Sequence, residues 1–133
     1  MRKLLAITLL AFSLGGCAQL QTASMALTAA TKSYDNPVTK QELFQIEASM
    51  RIVVEALLVY RRACIAGNVD LRCRENIMAI QPYTRQVKPL LVELRQFVMT
   101  DDQVSAIVVY KRLSNLYTSI TTEAANRGVN LGA

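Results

Sequence analysis

Three cysteines, ten acids and no histidine limit the chemistry open to this chain. General acid–base catalysis near neutral pH relies mostly on histidine, and a nucleophilic cysteine is usually activated by one. Asp101-Asp102 are adjacent acids that suit a helix N-terminus, where negative charge complements the helix dipole. Glu42, Glu47 and Glu55 share one helical segment at a spacing that defines no metal site, and Ser24, Ser49 and Ser105 have no recognisable catalytic partner. Cys64 and Cys73 would need two further ligands to hold zinc, and the chain has no histidine to supply them. These residue types predict neither an enzyme nor a cofactor or metal site. The feature with chemical reach is cationic. Arg61, Arg62, Arg72 and Arg74 flank the cysteine pair, and guanidinium forks suit phosphate and carboxylate groups. They form a candidate anion-binding tip, set against the plainer reading of a solvated helix end.

The N-terminus determines where such a tip would work. Arg2 and Lys3 precede an apolar run from Leu4 to Leu14, which is followed by Gly15, Gly16 and Cys17. The run has signal-peptide length and falls short of the roughly 20 residues that span a bilayer as a helix. Leu14-Gly15-Gly16-Cys17 resembles the lipobox of bacterial lipoproteins cleaved by signal peptidase II. The resemblance implies removal of residues 1–16 and a diacylglycerol thioether on Cys17, with acyl chains such as palmitate. It implies anchoring in the cell envelope. Ala18 stands where an aspartate would favour inner-membrane retention, which points to the outer membrane, facing the periplasm.

With Cys17 taken by lipid, Cys64 and Cys73 remain as an even pair in an oxidising compartment, the setting in which disulfides persist. Gly67-Asn68 lies between them as a turn, so a Cys64–Cys73 disulfide is expected. The formal charge of the chain is +5, of which Arg2 and Lys3 supply two. This is too weak a balance to imply nucleic-acid binding.

The elements that position these residues read as helical. Only five glycines and three prolines interrupt a chain that is 52% hydrophobic, which suits helices better than a turn-rich β-sandwich. Residues 17–38 are expected to be a lipidated N-terminus and tether, or at most a loosely packed helix, stopped at Tyr34-Asp35-Asn36-Pro37. A helical domain follows over 39–128. Thr39 and Glu42 form a capping box. The first helix runs to about Ala66 with Gly67 past its end, and Leu43, Ile46, Met50, Val53, Leu57, Tyr60 and Cys64 form its apolar stripe. Phe44, Ile52, Val54, Leu58 and Val59 widen that stripe, which predicts a central or interface helix. Asp70 is placed to cap a second helix, interrupted or kinked at Pro82 and bent again near Pro89. Thr100 and Gln103 resemble another capping box, before a last helix through Val104, Ile107, Val108, Leu113, Leu116 and Ile120. Residues 129–133 are expected to fray. The whole reads as an all-α, antiparallel three-helix bundle, its middle helix kinked at Pro82, on a lipid tether.

Two functions fit this outline. One is a non-catalytic structural or accessory module that binds an envelope protein or itself through apolar helix surface, and binds no nucleic acid. The other is a binding module for an anionic envelope ligand at the arginine tip. The general look also resembles small helical envelope lipoproteins of bacteria and prophages, some of them associated with lysis.

Overall fold

A computed structural model describes residues 24, 25, 27–67 and 72–131; the leader and Cys17 lie outside them. The described residues are mostly helical and contain no β-strand. Three long helices dominate: α1 (Lys40–Ile65), α2 (Cys73–Met99) and α3 (Gln103–Asn126). The closest association is between α2 and α3, α1 leans chiefly on α2, and α1 touches α3 sparingly.

The expected capping box opens α1. The Glu42 amide donates to the Thr39 hydroxyl at 3.2 Å, and Glu42 Oε2 accepts from the Thr39 amide at 2.9 Å. Gly67 adopts φ 73° just past the helix and donates its amide to the Cys64 carbonyl at 3.1 Å. Leu43, Ile46, Met50 and Val53 are buried as expected, whereas Leu57, Tyr60 and Cys64 are only half-buried. The core therefore grips the N-terminal half of α1 and loosens towards its end.

Several boundaries differ from the sequence reading. The described residues before 39 are not a bare tether. Residues 24, 25 and 27–31 are helical, and Met25, Ala29 and Val38 belong to the core. The Ser114 hydroxyl, in mid-α3, donates to the Met25 carbonyl at 3.2 Å. Lys32, which hydropathy alone would place outside, is 4% exposed. Its ammonium has three donors and three acceptors: Glu42 Oε1 at 2.6 Å, the Pro37 carbonyl at 3.1 Å and Asn36 Oδ1 at 3.5 Å. The 129–133 tail is not frayed as far as it is described, because Val129 and Leu131 are buried. Gly128 at φ 68° turns the chain back over α3, its amide bonded to the Ala125 carbonyl and that of Val129 to the Ala124 carbonyl. This is a Schellman closure, whose hydrophobic contact buries the residue after the glycine.

The cap of α3 also moves. Asp102, not Thr100, is its N-cap and accepts from the Ser105 amide. Asp101 takes φ 58° and the Asp102 amide returns to the Phe97 carbonyl, so Thr100 closes α2 instead. Gln103 is thereby freed to clamp the Val38 backbone, accepting from its amide at 3.0 Å and donating to its carbonyl at 3.5 Å. Asp70 lies outside the described residues, and the N-cap of α2 is Arg72, without a side-chain cap.

The expected interruption at Pro82 is absent: α2 continues through Pro82 and Pro89 as one helix. Both prolines are on the solvent side, and the carbonyls they leave without a helical donor belong to the exposed Met78 and Arg85, where water can serve them. The buried centre is α3 rather than α1. Its core face carries Ala106, Val109, Tyr110, Leu113, Tyr117 and Ile120, while Val104 and Val108 are exposed. Small residues on that face, Ala106, Ser114 and Ala124, let neighbouring backbones approach.

Burial works to raise the Glu42 carboxyl pKa, but the Lys32 ammonium and the Thr39 hydrogen bonds outweigh it and hold the group below its usual value. Glu42→Gln leaves the buried ammonium without a counter-charge and should cost about 3 kcal/mol in urea unfolding followed by circular dichroism. Lys32→Met should cost less, about 1–2 kcal/mol, because the Glu42 carboxylate can reach water. The contribution of a depressed carboxyl is present above its unfolded pKa and is lost as pH falls through the lower folded value. Wild-type stability should therefore drop below about pH 4.5 by a component that Glu42→Gln lacks. Burial, with Glu42 nearby, pushes the Tyr110 hydroxyl up to about 12. Its contribution is present below pH 10 and is lost as pH rises towards 12; ultraviolet titration of tyrosinate should show two late-titrating rings, Tyr110 and the likewise buried Tyr117, of which Tyr110→Phe removes one.

Candidate functional site

The end of the molecule that joins α1 to α2 is stapled by the Cys64–Cys73 disulfide, with a Cα–Cα distance of 5.8 Å. Cys73 opens α2 and is buried. One turn away, buried Asn76 donates to the Tyr60 hydroxyl at 3.0 Å. The bridge and this hydrogen bond hold the C-terminal half of α1 beside α2 where core packing is weakest.

The four arginines flank this staple. All are exposed. Arg72 borders a concavity at the α2–α3 end together with Glu75, Glu123 and Arg127, and Arg127 pairs with Glu123 at 2.6 Å. Acidic side chains there dilute any field an anion would feel. Arg61 instead borders a separate hollow between α1 and α2, and Arg62 and Arg74 line neither. At this end the fold thus sets Arg61 and Arg72 beside different hollows.

What it builds beside Arg61 is a longer groove. Two hollows of about 210 and 290 Å³ lie between α1 and α2 and share Val54 and Thr84, so they form one trough. Leu57, Leu58, Ile77, Leu91 and Val92 line it with Val54. Leu58 is 44% and Val92 59% exposed. Arg51 and Arg61 on α1, with Arg85 and Lys88 on α2, border it, and none of the four is paired with an acid among the described residues. The lone acid of the lining is Glu47, tied to Arg95 at 2.8 Å across the far end.

Arg51, Arg85 and Lys88 escaped the sequence reading. Arg85, Lys88 and Arg95 recur on one helical face at spacings of three and seven, a signal present in the chain, but their juxtaposition with Arg51 and Arg61 depends on how α1 and α2 pack. The outer face of α1 adds a second apolar feature: Phe44, Ile52, Val59 and Ile65 are exposed, so the excess apolar surface of this segment does stay uncovered.

Among the described residues, no group of three or more cysteine, aspartate or glutamate side chains could hold a metal ion, and no helix is long and apolar enough to cross a membrane. No family model, curated protein or solved structure matches this chain.

Closing a loop of nine residues by a disulfide stabilises a fold by about 2–3 kcal/mol. The Cys64→Ala/Cys73→Ala variant should unfold at lower urea by that amount. Alkylation of the native protein without reduction should label neither cysteine, and labelling of both would show free thiols.

Proposed function

We propose that this protein is a non-catalytic helical interaction module, held at the outer membrane on the periplasmic side by lipid on Cys17, that acts as a structural or accessory partner of another envelope protein. The observation that carries the reading is the apolar surface left open on α1 and in the α1–α2 groove. Contiguous exposed apolar surface marks association sites more often than isolated exposed residues do. The leader pattern ending at Leu14-Gly15-Gly16-Cys17 supports the anchor, and the bridged cysteine pair suits an oxidising compartment. Anchoring confines the module to a thin layer, which raises its effective concentration towards other envelope components without any new contact.

The fold belongs to the same proposal: an antiparallel three-helix bundle whose middle helix bends at Pro82. Its support is the short connection at Thr100–Asp102, which favours antiparallel neighbours, and the two helix hydrogen bonds that the prolines of α2 remove. A second reading, recognition of an anionic envelope ligand through Arg61, Arg62, Arg72 and Arg74, draws on the exposure of these four around the disulfide.

Mass spectrometry of protein extracted from bacterial membranes should find residues 1–16 absent and a diacylglycerol-modified Cys17. Cys17→Ser should remain unprocessed or unanchored. Photo-cross-linkers at position 52 or 59 should capture envelope protein in intact cells, and Ile52→Asp with Val59→Asp should abolish cross-linking from a third position on α1 while leaving the thermal midpoint unchanged. Absence of any protein adduct would sink the interaction reading.

A further inference from the structure

We propose that the α1–α2 groove receives an acidic amphipathic helix of a partner protein, its apolar side chains seated in the two hollows and its carboxylates against Arg51, Arg61, Arg85 and Lys88. This rests on the interaction-module reading and names the chemistry of the partner and the surface that takes it.

Charge complementarity commits the occupant to negative charge. The groove has cations on both lips, and its one acid, Glu47, is already engaged by Arg95. A guanidinium beside an apolar wall is poorly served by a neutral or basic partner, whereas a carboxylate gains a charge-assisted hydrogen bond there. The same argument disfavours a second copy of this chain. The chain is net basic, and the exposed stripe of α1 formed by Phe44, Ile52 and Val59 carries Arg51 and Arg62 against one acid, Glu55, so self-docking would leave an excess of like charge.

Shape commits it to a helix. From Ile77 to Arg95 the α2 wall spans about 27 Å, the length of about 18 helical residues. The trough lies between two helices and presents side chains, with no sheet edge to pair an extended strand. Apolar anchors at i, i+3, i+4 and i+7 on a docking helix match such a trough. Each hollow holds a few large side chains and opens along its side, unlike the enclosed pockets of roughly 300–1,000 Å³ that bury most of a small molecule. The end of α1 is available for this role because its side chains after Val53, the last fully buried residue of α1, are at most half-buried, and the disulfide holds it beside α2.

The mature lipidated protein in a neutral detergent is titrated with a fluorescent synthetic helix of about 18 residues, leucine along one face and glutamate on both flanks. The control peptide carries lysine at every glutamate position. The glutamate peptide should bind at least about tenfold more tightly than the control, and its affinity should fall with rising salt. Arg85→Glu with Lys88→Glu should weaken it by about tenfold or more. Val92→Asp, an exposed position, should weaken it similarly, and the unchanged thermal midpoint of each variant should show that the fold is intact. Equal binding of both peptides, or indifference to Arg85→Glu/Lys88→Glu, overturns the proposal. So does binding to phosphatidylglycerol vesicles with none to the peptide, which would make the groove a lipid-surface site. In cells, cross-links that survive Arg85→Glu/Lys88→Glu but vanish with Ile52→Asp/Val59→Asp would leave the interaction module standing and remove the groove; loss of all protein cross-links in the wild type would remove both.

Discussion

The ion pair between Lys32 and Glu42 sets the constraint on which the N-terminal half of the molecule depends. One carboxylate oxygen takes the buried ammonium, and the other completes the capping box of α1. A single acid therefore begins a helix and anchors the segment before it. With Lys32 held, the chain reverses through Ser33–Asn36, Val38 reaches the Gln103 amide, and Met25 and Ala29 reach α3. A buried charge that loses its partner is strongly destabilising, so this arrangement tolerates little variation. It ties α1 to the segment before it, whose Met25 and Ala29 lie in the core.

The C-terminal half of α1 is governed differently. Beyond Val53 its contacts with the core thin, and a disulfide with the Tyr60–Asn76 hydrogen bond takes over. A covalent link fixes position without filling the space between the helices, and the groove lies along this stretch. The staple stabilises the fold beside the surface on which the proposed function relies.

Much of this was legible in the chain. Thr39 and Glu42 at capping-box spacing, Gly67 past the end of α1, and the cysteine pair all express rules that act within a few residues. The misplaced features are those in which a distant partner decides between local alternatives. Thr100 and Asp102 are both good caps, and the left-handed turn at Asp101 with the Gln103–Val38 clamp selects Asp102. Pro82 reads as a break, yet its freed carbonyl lies on the solvent side, where the cost is smallest. Val104 and Val108 are as apolar as Val109, and only the packing of α2 and the N-terminal segment against α3 decides which face is inside.

The sequence by itself determined that the chain is helical, where its main helices begin, and that its two distal cysteines pair, because periodicity, caps and short motifs are local. Tertiary structure alone decided that Lys32 is buried, that α3 rather than α1 is the centre, and that Arg51, Arg61, Arg85 and Lys88 border one apolar groove. Those outcomes depend on the rotation of one helix against another, and hydropathy along a single chain does not encode which of two apolar faces a neighbour will cover.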